Sequence, residues 1–201
     1  MKGTILKSAA VCLLMLSPLA HTVAFAQSDT LKMEVGAQYS LLNFDTFGLT
    51  ERRRNESGFG GRFTYNFNKY VAAEAQVDFF PREDIERIGA INVLQFGRKT
   101  LGVFGMKAGV RGTRLGVFGK ARPGFIHFSD VPSFGCVAIV GPCPQPAKTN
   151  FAFDLGGVVE YYPSRRAVLR FDAGDTIIHH QSRFFGTSHS FQFSSGVGFR
   201  F

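Results

Sequence analysis

Long hydrophobic runs are missing from most of these 201 residues. After residue 30 nothing approaches the ~18 consecutive apolar residues that a membrane-spanning helix needs, which excludes a helical membrane protein. Proline is scarce, and the 23 glycines follow no G-X-Y period, which excludes collagen. Charge is also sparse, at 19% of positions, and tryptophan is absent. What is plentiful is apolar: 45% of the chain is hydrophobic and 23 residues are phenylalanine, so a core or a lipid-facing surface can form and disorder is excluded. The length fits one domain or two small ones.

The first 26 residues carry the one early apolar run. Lys2 and Lys7 precede Ala9–Leu16, Pro18 breaks the run, and Ala24-Phe25-Ala26 forms an A-x-A cleavage site before Gln27. This three-part layout is expected to be a cleaved secretory signal peptide, leaving 27–201 as the mature domain. Residues 1–26 hold two lysines and no acid, so their removal lowers the formal charge from +8 to +6. Cysteine is scarce as well. Cys12 lies inside the leader run, and only Cys136 and Cys143 remain. In an exported chain such a close pair reads as one disulfide stapling a surface loop, worth only ~2.5 kcal/mol by loop entropy. Two thiols without a neighbouring histidine make a poor metal site, and no cofactor is expected.

From residue 31 the chain alternates with a period of two. Met33, Val35, Ala37, Tyr39 and Leu41 are apolar; Phe59, Phe63, Tyr65 and Phe67 alternate with Gly60, Arg62, Thr64 and Asn66. Val71–Phe79 and Phe191–Phe201 behave alike, and segments near 100–111, 115–127, 150–162 and 167–176 bring the count to eight strands. Most run about ten residues, the length of a tilted membrane-spanning strand. The fourth slips in parity between Phe96 and Phe104, which predicts a bulge. Pro123 predicts a strand end or bulge, because it cannot donate to a ladder. Short turns at 68–69, 112–114 and 163–166 alternate strictly with long connections at 43–56, 81–94, 128–149 and 177–187. That asymmetry predicts an all-β, antiparallel, up-and-down transmembrane barrel of eight strands.

A soluble barrel with an apolar interior alternates in the same way, so the polar face must decide. It carries Glu34, Arg62, Glu74, Asp78, Lys107, Arg111, Lys120, Arg122, Asp154, Glu160, Arg170, Asp172 and Arg200, seven bases against six acids. Near-neutral mixed charge among many glycines is what a narrow lumen requires, because buried ions must pair and long side chains need room. These thirteen residues are therefore expected to form an interior charge network, with the phenylalanine-rich face in lipid. The surplus of bases does not point to nucleic acid. Arg52-Arg53-Arg54 is offset by Asp45, Glu51 and Glu56, and Lys69, Arg114, Arg165 and Arg166 in the short turns supply +4 of the mature +6. Those turns are expected to meet anionic lipid headgroups of the inner leaflet.

The final run Phe191-Gln192-Phe193-Ser194-Ser195-Gly196-Val197-Gly198-Phe199-Arg200-Phe201 resembles the last strand of bacterial outer-membrane barrels. Met106–Arg111 with Gly119–Phe125, and Val159–Arg166 with Arg170–Asp175, are similar to successive hairpins of OmpA-like eight-stranded barrels. The resemblance spans the mature chain and specifies the barrel rather than an activity. It implies an outer-membrane location, lipid contact, and insertion by a barrel-assembly machinery that reads Val197, Phe199 and Phe201. A peptidoglycan-binding domain like that of longer relatives is not expected.

Catalytic signals are thin. Ser188-His189-Ser190 invites comparison with outer-membrane lipid deacylases, but adjacent strand residues point to opposite faces and no acid is obviously placed to orient His189. His179-His180 in the fourth loop offers a weak two-ligand metal pair at most. No glycine-rich run sits in a βαβ setting, so phosphate-loop readings fail. The expected function is non-enzymatic: a monomeric outer-membrane barrel that supports the envelope, or uses Phe47, Leu49, Phe134, Val137, Ile139, Phe184 and Phe185 in its four loops for adhesion or recognition of an external ligand. A lipid-modifying enzyme and a narrow channel are the alternatives.

Overall fold

The computed structural model describes residues 31–46, 52–82, 84–88, 91–129, 147–180 and 186–201. They form ten strands: β1 (Met33–Thr46), β2 (Arg52–Asn66), β3 (Val71–Phe80), β4 (Asp84–Ile88), β5 (Ile91–Phe96), β6 (Lys99–Arg111), β7 (Leu115–Phe128), β8 (Lys148–Tyr161), β9 (Ala167–His179) and β10 (Thr187–Arg200). Eight of them close an antiparallel barrel in the order β1-β10-β9-β8-β7-β6-β3-β2, and β4 and β5 pair only with each other. The second long connection is therefore not plain loop but carries its own hairpin. The first is shorter than the alternation suggests. β1 and β2 pair up to Asp45↔Arg53 and Thr46↔Arg52, so the triple arginine lies in a strand and only 47–51 connect the two. Apolar alternation stops where the wall leaves the hydrocarbon, while pairing continues on polar residues such as Asn43 and Asn55, whose side chains bond at 2.7 Å.

The register fixes the barrel's shape. A path along paired residues runs from Met33 through Tyr65, Ala73, Met106, Ala121, Leu155, Asp175 and Phe191. It returns to β1 at Asn43, ten residues beyond its start. Eight strands with that stagger tilt by roughly 40° and enclose a backbone radius of about 8 Å, which side chains can fill. A 14-residue strand such as β1 then climbs about 35 Å, beyond the ~25 Å apolar band of an outer-membrane barrel.

The expected bulge in the fourth barrel strand is absent. β3 and β6 pair without a shift from Phe80↔Lys99 to Val71↔Ala108, and Phe96 belongs to β5. Parity confuses the pattern for two reasons: inward positions are even in β3 but odd in β6, and inward Leu101 and Val103 are themselves apolar. Pro123 lies inside β7, facing outward, rather than at a strand end. The β6–β7 ladder runs to Val103↔Gly124, resumes at Met106↔Ala121, and is interrupted beside the proline. That is the cost of a residue without an N–H.

The short turns are held by their own side chains. The Asn68 carboxamide oxygen accepts the backbone N–H groups of Tyr70 and Val71 at 2.7 and 2.8 Å, and the Ser164 hydroxyl accepts those of Arg166 and Ala167 at 3.3 and 3.0 Å. Both chain ends of the barrel lie at this rim, where Met33 and Phe201 exchange two backbone bonds of 2.9 Å.

Candidate functional site: the barrel interior and its rims

Period-two geometry sends alternate side chains inward, and a lumen this narrow brings those of opposite walls into contact. Glu74 on β3 meets Arg170 from across the barrel through both carboxylate oxygens, with Lys107 at 3.2 Å, Arg122 at 3.4 Å and the Thr64 hydroxyl donating at 3.2 Å. Asp172 takes Arg170 at 2.7 Å together with Lys120, and Asp154 takes Lys120 at 2.9 Å and Arg122 at 2.6 Å. Toward the short-turn rim, Glu160 gathers Lys107, Arg170 at 3.4 Å, Arg111 at 3.7 Å and the Tyr162 hydroxyl at 2.6 Å. Burial, and the adjacent Glu160 carboxylate, raise the pKa of the Tyr162 phenol in that rim turn. Glu34 and Arg62 pair separately at 2.8 Å.

Two of the thirteen expected interior charges are held differently. Asp78 accepts from Gln38 at 2.8 Å, Ser40 at 3.0 Å, Gln76 at 2.6 Å and Gln192 at 3.1 Å, and makes no ion pair among the described residues. Four neutral donors satisfy a carboxylate without a cation. Arg200 stacks its guanidinium 5.0 Å from the centre of the Tyr162 ring, with no carboxylate of a described residue in pairing distance. A further pair escapes the sequence pattern: Lys99 and Glu56, both fully buried, meet at 2.5 Å near the long-connection end. Glu56 falls where the alternation suggests a loop, so its inward parity carries no signal.

Above the ions the lumen turns apolar. Leu42, Phe80, Leu101, Val103, Ile126, Phe128, Ala152 and Ile178, on inward positions of six strands, pack as one buried cluster. Its sequence signal is one or two apolar residues on the polar parity in the half of each contributing strand nearer the long connections. Among the described residues the interior is thus filled by a paired charge network and, nearer the long connections, by an apolar cluster.

The outer wall carries exposed Phe59, Phe104, Val110, Val117 and Val197, as a lipid-facing surface requires. Val197, Phe199 and Phe201 share this face on the last strand, and the rings of Phe199 and Phe201 stack at 6.4 Å. The histidines divide between the two sides. His179 faces outward, with Thr187 at 3.4 Å, and His180 inward, where Nε2 lies 2.9 Å from the Ser188 hydroxyl; the pair therefore shares no ligand. Ser188 and Ser190 are buried inside, whereas His189 points out and bonds Asp175 through Nδ1 at 2.5 Å. An acid does orient His189, which sequence reading misses because the two lie 14 residues apart on paired strands. Neither neighbouring serine shares its face. Among the described residues no three metal-ligating side chains gather. Residues 1–26, Cys136, Cys143 and the loop residues Phe47, Leu49, Phe134, Val137, Ile139, Phe184 and Phe185 lie outside the described residues.

Comparison with known proteins adds three findings. A family model described as the outer membrane protein beta-barrel domain matches residues 9–201. A search of curated proteins finds no match. Among solved structures, neisserial surface protein A is similar at 13% identity and a TM-score of 0.57, over 84% of this chain and 97% of that one. The Yersinia pestis attachment invasion locus protein Ail, in complex with the heparin analogue sucrose octasulfate, is similar at 17% identity and 0.52, over 85% and 97%. OprG of Pseudomonas aeruginosa follows at 10% and 0.52, over 87% and 98%. Identities this low establish a common fold.

Proposed function

The chain belongs to the outer membrane protein beta-barrel domain family of the bacterial outer membrane, and on that premise we propose a non-enzymatic surface protein with a sealed lumen. It acts through its four long connections, in adhesion or recognition of an external ligand. The observation that carries this reading is the double closure of the interior, by ion pairs around Glu74, Arg122 and Arg170 and by the apolar plug. A wall so filled leaves no continuous water path, so what the protein offers the outside is its rim. One of the similar structures is that of an attachment invasion locus protein, which agrees with that use.

The same proposal includes maturation by cleavage after Ala26, one disulfide between Cys136 and Cys143, and assembly as a monomer through a machinery reading Val197, Phe199 and Phe201. Planar-bilayer recording tests the sealed lumen, and no conductance steps are expected. Retention of displaying cells on octyl-agarose and on an epithelial monolayer tests the rim, with loss expected when residues 130–146 are replaced by a short Gly-Asn turn. Steady ion currents, or an esterase activity abolished by His189→Ala, would refute the corresponding part.

A further inference from the structure

Four consecutive strands, β7 to β10, present an outer face nearly free of charge. Within them, the outward positions bear one acid, Asp175, and three imidazoles, His127, His179 and His189; the rest are apolar, small or hydroxylated. The imidazoles are not scattered. All three stand at the long-connection end, each two residues above an apolar side chain: Phe125 below His127, Ile177 below His179, Phe191 below His189. The register joins them sideways, His127 opposite Thr149, Phe151 opposite His179, His179 opposite Thr187 and Ile177 opposite His189. The result is two tiers on one wall, a polar tier of histidine and threonine above a tier of phenylalanine and isoleucine, in which Asp175, opposite Phe191, is the one acid.

The imidazoles of the polar tier are already engaged, two with threonines of that tier and one with Asp175 below it. His127 Nδ1 lies 2.8 Å from the Thr149 hydroxyl, His179 Nδ1 lies 3.4 Å from that of Thr187, and His189 Nδ1 lies 2.5 Å from the Asp175 carboxylate. His189 remains 62% exposed, so its Nε2 edge is open to the surroundings. Facing these imidazoles, Thr100 of β6, Thr149 of β8, Phe151 of β8 and Thr187 of β10 are uncharged. On the β1 side the ladder with β10 ends at Asn43↔Phe191, and on the β6 side exposed Arg98, bonded through its carbonyl to the Ser129 N–H, adds a cation near His127. Lys148 and His180 have the inward parity. The three imidazoles and Asp175 together carry a formal charge of −1 with neutral imidazoles and +2 with all three protonated.

We propose that this wall is a binding site for a phosphate-bearing lipid of the outer leaflet, its acyl chains on Phe125, Phe151, Ile177 and Phe191 and its phosphate at the protonated His127–His179–His189 tier. A phosphate is pure acceptor, which matches imidazolium and threonine donors. The acyl chains select a membrane lipid over a free phosphate, because the donors sit directly above exposed hydrocarbon-facing rings. Asp175 holds His189 in place and, as the one acid on these outward positions, opposes an anion when the imidazoles are neutral. The site is separate from the loops and does not depend on the surface-recognition reading.

The test uses the full barrel in dodecylmaltoside micelles, titrated with dioleoylphosphatidylglycerol and read by native mass spectrometry. That phosphodiester keeps its charge between pH 5.5 and 7.5, so a pH effect belongs to the protein. Binding is expected to be about tenfold tighter at the lower pH, with dioleoylphosphatidylcholine unaffected. The H127Q/H179Q/H189Q variant should bring the ratio near one, and the single variants H179Q and H189Q, at exposed positions, should each reduce it. Asp175→Asn should strengthen phosphatidylglycerol binding at pH 7.5. Neutralising Lys69, Arg114, Arg165 and Arg166 at the opposite rim should weaken binding equally at both pH values and leave the ratio intact. A ratio that survives the histidine changes, or an equal ratio for phosphatidylcholine, would overturn the site. Displacement by an equal concentration of glycerophosphoglycerol, the headgroup alone, would overturn its assignment to a lipid.

Discussion

At the residue scale the interior turns on Glu74. It touches Arg170, Lys107 and Arg122 at once, and those cations also serve Glu160, Asp172 and Asp154. Removing one member of a buried set leaves its partners uncompensated in a low dielectric, which costs more than the set contributed. Glu74→Gln keeps the shape and deletes the charge, so we expect a loss of about 3 kcal/mol, read as a lower urea midpoint for refolded barrel in vesicles. Each of these residues could be placed on the inner wall from its parity and its charge type. Their pairing could not, because β3 and β9 do not adjoin in the sheet and only closure of the barrel brings Arg170 to Glu74. Asp78 shows the same limit from the other side. Its sequence neighbours identify an inward acid, yet two amides and a hydroxyl from two other strands, β1 and β10, supply donors, as well as Gln76 on its own strand.

Strands and their ends show where the alternation fails as a guide. Six strands place apolar residues on the inward parity near the long connections, and in the fourth barrel strand, β6, this reads in the sequence as a slip or a bulge. β6 is the instructive case: the register never shifts, and Leu101 and Val103 face inward because a plug needs them. Phe80, at the end of β3 and fully buried in that plug, should be costly to truncate; Phe80→Ala is expected to destabilise by about 3–5 kcal/mol in the same urea assay. The neighbouring weakness lies in the ladder. Between Val103↔Gly124 and Met106↔Ala121 the β6–β7 pairing lapses beside Pro123, so the amide of Phe104, which faces β7 there, should exchange hydrogen sooner than those of Gly102 and Ala108, which face β7 where the ladder is intact. Uniform protection along β6 in hydrogen-exchange mass spectrometry would show the gap to be closed. A side chain at Gly105 would not close it, since a Cβ there would collide with the Ala121 carbonyl oxygen and stand 2.7 Å from the Arg122 Cα.

For the whole molecule, the inner and outer faces of the long-connection end respond differently to acid. His180 sits just beyond β9 at the long-connection rim, its Nε2 on the Ser188 hydroxyl, and its pKa is pushed down to about 4, first by burial and then by the charges of Lys148 and His179. In the unfolded chain an imidazole takes up its proton near pH 6.5. Between those values the unfolded state binds more protons than the folded one, so stability present at pH 7.5 must drain away as the pH falls from about 6.5 toward 4. The outward tier works in the opposite sense when anionic lipid is present, since protonation there strengthens binding to the folded wall. The two effects separate by surroundings and by substitution. In a zwitterionic detergent the urea midpoint of the parent should fall between pH 7.5 and pH 4.5, and His180→Gln, which can still bond Ser188 but cannot titrate, should fall less. Adding phosphatidylglycerol should recover part of the loss in both proteins, and H127Q/H189Q, which keeps the His179 charge beside His180, should reduce that recovery without changing the inward contribution. An identical pH response in the parent and in His180→Gln would place the acid sensitivity elsewhere than on the buried imidazole.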